Sequence, residues 1–288
     1  MSKAVVIGGP GRSGTSLLRN WFLANPHAVS FGPNVESKFF VEAYGLIDLY
    51  RAFVSDYSYS RAIAAVREFK ALMLTHLVDS TFCGQPEIDA FARGDQKGRR
   101  ESYKNLVTAY IDSLHSSSAP LYLSDVEFFQ RTSAFVEELL STYVKEDQKE
   151  WAFIEKTPHN CLNPWIFLRL FKDVRFVWVV RDPRAIVYST YKMHWGPTSI
   201  DASIVYTKAL LKRFVEIVES NECLMVKLEE LDQVGVVEGI QNFCEFGLRP
   251  GVEPFNIDVI NDWKARIRPD DLIRVEEAMR AEVEYFGY

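Results

Sequence analysis

The residues best suited to chemistry begin at position 8, where Gly8-Gly9-Pro10-Gly11-Arg12-Ser13-Gly14-Thr15-Ser16 follows a short apolar run and leads into a helical pattern. Glycines let a backbone approach an anion closely, and the amides at a helix start donate to it while the helix dipole favours negative charge. Such a loop suits phosphate. Read as a P-loop, Gly9 and Gly14 satisfy G-x-x-x-x-G, but Thr15 stands where the lysine belongs, which disfavours a nucleoside triphosphatase or nucleotide kinase. Read as a dinucleotide fingerprint, Gly9, Gly11 and Gly14 satisfy G-x-G-x-x-G, and Glu36 lies about 20 residues on, where a ribose-binding acid is expected. Against a NAD-type oxidoreductase, Phe31-Gly32-Pro33-Asn34-Val35 is not a clean second strand, and Arg12 is surplus to a pyrophosphate held by amides.

A second basic group follows another apolar run. Val174 to Val180 leads into Arg181-Asp182-Pro183-Arg184 and a helical stretch through Ser189. An arginine at a strand's carboxyl end, with a hydroxyl a turn or two later, can clamp a phosphate monoester. The plainer reading is an Arg181–Asp182 pair at a sheet edge, with Pro183 opening the helix.

These segments together carry a resemblance. Gly-x-x-Arg-Ser-Gly-Thr-Ser-Leu-Leu from Gly9, the Val-Val-Arg-Asp-Pro-Arg run ending at Arg184, Glu36-Ser37-Lys38-Phe39-Phe40 and Glu155-Lys156-Thr157-Pro158-His159-Asn160 resemble the sulfotransferases that use 3′-phosphoadenosine 5′-phosphosulfate (PAPS). Trp263-Lys264, Pro269 and Phe286-Gly287-Tyr288 look like the bacterial branch. The resemblance implies that Gly11, Arg12, Ser13, Gly14, Thr15 and Ser16 hold the 5′-phosphosulfate, with Arg12 supplying the cation that a lysine supplies elsewhere. It implies that Arg181 and Ser189 hold the 3′-phosphate, and that Trp263-Lys264 makes a lesser nucleotide contact. A nucleotide with phosphate on both the 5′ and 3′ sides is what separates PAPS from ATP or NAD.

Sulfuryl transfer, like phosphoryl transfer, needs positioning and charge stabilisation more than covalent chemistry, so in-line displacement is the expected route. No metal is expected to be required, since Arg12 and Lys156 can balance the charge. The resemblance makes Lys156 the donor to the bridging oxygen and Glu36 the general base for an acceptor hydroxyl or amine. His159 is the rival base, because the cytosolic branch uses a histidine just after its Lys-Thr pair, although Pro158 intervenes here. A non-catalytic nucleotide-binding module is the reading left if both bases prove dispensable.

Apolar, β-branched runs at Ala4 to Ile7, Trp151 to Ile154, Val174 to Val180 and Leu224 to Leu228 read as buried parallel strands. Leu17, Leu18, Trp21 and Phe22 mark a helix that stops at Asn25-Pro26. Strands alternating with helices predict one α/β domain over residues 1–288: a three-layer, P-loop NTPase-like fold with a central parallel sheet. Ligands in such folds bind at the carboxyl ends of the strands. Residues from about 41 to 150 read as a mostly helical insertion and acceptor-binding wall, interrupted around Cys83-Gly84-Gln85-Pro86 and from Arg93 to Arg100. Within it Arg93, Lys97, Arg99 and Arg100 read either as a solvated loop or as a receiver for an anionic acceptor such as a sugar acid or phospholipid head group. The acceptor class stays open among small molecules such as steroids or phenols, glycans, lipids and peptide tyrosines.

The bulk composition sets outer limits. Hydrophobic residues make up 48% and charged residues 25%, enough for an ordinary core. A formal net charge of −6 disfavours nucleic acid as a partner, so any anion must be held by locally gathered cations. No stretch approaches the roughly 18 consecutive apolar residues of a transmembrane helix, and the start does not read as a signal peptide. Cys83, Cys161, Cys223 and Cys244 lack metal-ligand spacing, which fits reduced thiols in a cytoplasm.

Overall fold

Five strands form one parallel sheet with helices on both sides: β1 Lys3–Gly8, β2 Ala28–Val29, β3 Ala152–Glu155, β4 Asp173–Val180 and β5 Cys223–Lys227, in the order β2-β3-β1-β4-β5. The computed structural model describes residues 3–31, 36–41, 43–76, 96–114, 122–144, 150–158, 160–194, 196–250 and 255–288. The four strands expected from the apolar runs are present, each boundary displaced by at most one residue. β2 was not expected; its two residues pair with Ala152 and Phe153 of β3.

The helices include α1 Thr15–Leu23, α2 Tyr59–Ala71, α3 Gln96–Leu114, α4 Asp125–Ser141, α5 Pro164–Leu170, α6 Pro183–Tyr191, α7 Ile200–Ser220 and α8 Ile257–Asn261. Among the described residues, no helix is long and apolar enough to cross a membrane. The described elements between 41 and 150 are helical, and the basic stretch is not wholly an interruption. Lys97, Arg99 and Arg100 fall in the first turns of α3, because lysine and arginine are good helix formers and polarity alone does not break a helix. Arg93 and the turn around Cys83 lie outside the described residues.

Two compact units divide the chain, Met1–Ala4 with Pro26–Val174, and Val5–Asn25 with Arg175–Tyr288. The first is built on an aromatic core. Phe31, Phe39, Phe40, Phe153, Phe167 and Phe171 are buried and in mutual ring contact, with Phe39 and Phe40 centroids 4.3 Å apart. Its α4 opens with a capping box, the Ser124 side chain accepting from the Glu127 N–H while the Glu127 carboxylate accepts from Ser124. The second unit buries Val5, Val6 and Ile7 of β1, Leu18, Trp21 and Phe22 of α1, and Val177 to Val180 of β4. There Trp178 meets Phe214 of α7 edge to face at 4.4 Å. β4 and β5 run in register from Phe176 opposite Cys223 to Val180 opposite Lys227, which sets Arg181 just beyond their shared carboxyl end.

Candidate active site

Within the second unit the glycine loop is a tight strand-to-helix turn. Gly9 has φ +145°, and a Cβ there would stand 2.2 Å from the Val179 carbonyl oxygen, so β1 leaves the sheet by a path only glycine can take. Gly14, at φ +85°, is the N-cap of α1 and supplies no capping side chain. The first-turn amides of α1 therefore lack the side-chain acceptor that serine or aspartate would give. Ser13 is fully buried, and both its N–H and its hydroxyl donate to the Pro10 carbonyl, at 3.2 and 2.7 Å; its side chain braces the turn. Thr15 is buried, whereas Gly11 is half-buried and Arg12 and Ser16 are exposed. Arg12 itself sits at φ +74°, in the left-handed region that non-glycine residues rarely occupy.

The Arg181 segment meets this loop directly. Arg12 Nε donates to Ser189 Oγ at 3.0 Å, and Arg181 Nη1 donates to the Arg12 carbonyl at 3.2 Å. Arg181 Nη2 donates to the Ile260 carbonyl of α8, while its buried Nε has no hydrogen-bond partner among the described residues. Burial, helped by the nearby Arg12 charge, holds the Arg181 guanidinium below the usual arginine value, against the opposing pull of Glu229 and Asp182.

The plainer pairing of Arg181 with Asp182 does not form. Asp182 caps α6 instead, accepting from the Arg184 N–H at 2.9 Å, and it takes the Arg184 guanidinium as a fork at 2.9 and 2.8 Å. Pro183 does open the helix, as expected. Behind them Glu229 accepts from the Asp182 N–H at 3.2 Å and from the Tyr288 hydroxyl at 2.7 Å. Trp263 is buried, 6.0 Å below the Arg184 guanidinium, and Lys264 is exposed beside it.

The first unit holds the other candidates. Glu36 and Lys156 form an ion pair at 3.6 Å, the lysine side chain 14% exposed and the glutamate 37%. Lys156 follows β3 directly, and Glu36 is brought to it by Ser37, whose N–H donates to Thr157 Oγ1 at 2.7 Å. His159 lies outside the described residues. Sequence reasoning passed over Glu155, the last residue of β3. Burial pushes its carboxyl above the ordinary glutamate value, and donors from Ser37, Thr157 and Asn160 oppose that rise. The signal was at hand, since Glu155 adjoins Lys156 in the motif, but an acid at a strand end reads as solvated. Among the described residues, no group of three or more His, Cys, Asp or Glu side chains could hold a metal ion.

Comparison with known proteins defines the class. The chain matches the Sulfotransferase family model over residues 4–249, a span that includes every site residue above except those beyond Arg249, and it belongs to that family. No curated protein matches it. Among solved structures it is similar to the sulfotransferase domain of the Synechococcus PCC 7002 olefin synthase, at 14% identity and TM-score 0.52, covering 100% of this chain and 95% of that one. It is also similar to the sulfotransferase domain of the curacin biosynthetic pathway (13% identity, TM-score 0.49, 97% and 98% covered) and to sulfotransferase STF9 from Mycobacterium avium (12%, 0.45, 99% and 76%). The first of these likenesses carries the fold, which is that of the sulfotransferases.

Proposed function

We propose that this sulfotransferase moves a sulfuryl group from PAPS to an acceptor hydroxyl or amine by in-line displacement. The observation that carries the donor assignment is the junction at Arg12, whose side chain reaches Ser189 and whose carbonyl is held by Arg181. One residue thus links a loop suited to a 5′-phosphosulfate with a clamp suited to a 3′-phosphate. The buried Arg181 Nε, without a partner among the described residues, the uncapped start of α1 and the close approach at Gly9 all fit a doubly anionic nucleotide. A phosphate here also offsets the repulsion between two neighbouring guanidinium groups.

When bound, PAPS supplies an activated sulfuryl group on a phosphate leaving group. The amides of Gly14 to Ser16, the Ser16 hydroxyl and the Arg12 guanidinium bind the 5′ side, with Gly11 and Thr15 shaping the loop and Ser13 bracing it. Arg181 and Ser189 bind the 3′-phosphate. Lys156 donates a hydrogen bond to the bridging oxygen as charge develops there. Glu36 accepts the acceptor's proton, with His159 the rival for that task. The acceptor is a small molecule, a glycan or a lipid.

Calorimetry of the purified chain without added metal tests the donor class. We expect 3′-phosphoadenosine 5′-phosphate (PAP) to bind at least about 10²-fold more tightly than ADP or NAD, since a second phosphate on an arginine clamp contributes about 2–3 kcal/mol. A preference for NAD would make the glycine loop a dinucleotide turn. A preference for ADP would return the chain to kinase-like chemistry.

A further inference from the structure

Glu155 has no part in the chemistry assigned above, yet it is 1% exposed. Its Oε1 accepts from the Thr157 N–H at 2.5 Å and from Asn160 Nδ2 at 3.0 Å. The same Asn160 amide donates to the Ser37 carbonyl at 3.0 Å, and Thr157 Oγ1 accepts from the Ser37 N–H at 2.7 Å. The N–H and carbonyl of Ser37 are therefore both tied to residues that Glu155 itself holds. Ser37 follows Glu36, and Thr157 follows Lys156. The two neighbours of the 3.6 Å ion pair thus share one buried anchor.

A buried carboxyl costs free energy that an apolar residue at the end of β3 would not, unless its hydrogen bonds fix something that packing alone leaves loose. Here the bonds have a direction. Thr157 accepts from the Ser37 N–H through Oγ1 while donating its own N–H to Glu155, and one Asn160 amide spans Glu155 and the Ser37 carbonyl.

We propose that Glu155 is a positioning residue that fixes the Glu36 segment against the Lys156-Thr157 turn and so sets the separation of the Glu36 carboxylate and the Lys156 ammonium. The inference deepens the proposed function and rests on the roles given there to Glu36 and Lys156.

The test uses the full chain with Thr157→Val, which removes the hydroxyl at nearly constant shape, Thr157→Ser, which keeps it, and Glu155→Gln, which replaces one acceptor oxygen by a donor. Three quantities are read: the Glu36–Lys156 separation in crystal structures of the nucleotide-free variants, the affinity for PAP by calorimetry, and the rate of sulfate release from PAPS in water. We expect Thr157→Val and Glu155→Gln to part the pair beyond ion-pairing reach, about 4 Å. Sulfate release should then fall on the order of 10²-fold, the cost of a misplacement of roughly 1 Å, while PAP affinity stays within about threefold. Thr157→Ser should restore both the separation and the rate. An unchanged separation in both disruptive variants, or failure of Thr157→Ser to rescue, overturns the proposal. So does an equal loss of folding and PAP affinity in all three, which would make the network merely structural. If Glu36→Gln releases sulfate at the wild-type rate, the assigned base falls, and the separation in the variants still decides the anchoring.

Discussion

Arg12 Nε and Ser189 Oγ lie 3.0 Å apart although 177 residues separate them in sequence, and Arg181 closes the junction from the other side at the Arg12 carbonyl. The two segments expected from the sequence to bind anions therefore meet at one residue. A substitution in the 3′ clamp should be felt first by 3′-phosphorylated nucleotides.

Ser189→Ala should weaken PAP by about 3- to 10-fold, the worth of one hydrogen bond. Arg181→Ala should weaken it by about 10- to 150-fold, the range for bonds to a charged partner. Affinity for 5′-AMP, which lacks the 3′-phosphate, should change little in either variant. Calorimetry with both nucleotides checks this, and equal losses on both would remove the 3′-phosphate assignment.

Gly9→Ala should destabilise the chain by about 3 kcal/mol or more, because its Cβ would meet the Val179 carbonyl at 2.2 Å in a backbone conformation that L-residues rarely adopt. Gly11→Ala, whose Cβ would meet nothing within 4 Å, should cost less than about 1 kcal/mol. Denaturant unfolding of the pair separates a steric need for glycine from mere loop composition. Similar midpoints would refute the close-approach argument.

Glu36→Gln should leave PAP affinity intact and slow sulfate release from PAPS on the order of 10²-fold, as expected for loss of a general base. An unaltered rate would transfer that role to His159.

Local pattern sufficed for much of this architecture. β1, α1 and β4 are legible because each is a periodic or continuous apolar run ending in glycine, proline or arginine, and their ends carry the loop and Arg181. β2 is not legible, since two residues hold no period; it exists because Ala28 and Val29 find β3. The start of α3 was obscured by its own charges, which mark solvent contact rather than an end to the helix. The Glu36–Lys156 pair joins segments 120 residues apart and was reachable only through the family motifs. Glu155 was missed because β3 extends one residue further than its apolar run, carrying an acid into the core.

That buried acid also gives stability a pH signature. Its pKa is raised in the folded chain, so the folded state binds the proton more tightly, and the associated stability is fully present below the ordinary value of 4.5. It is lost as pH rises from there through the raised folded value. Wild type should accordingly lose stability relative to Glu155→Gln as pH climbs above 4.5, with the other titrating groups cancelling in the difference. Urea unfolding of both proteins across that range checks the sign, and a difference that stays flat or grows with pH would contradict it.

Arg12 holds its guanidinium in place from a left-handed backbone, at φ +74°, which costs an ordinary residue about 1 kcal/mol or more and a glycine almost nothing. Selection for robustness alone would favour glycine there, giving a sturdier turn and a chemically silent one. The loop carries the cation instead, and with the role proposed for Arg12, position 12 is where durability and activity pull this chain in opposite directions.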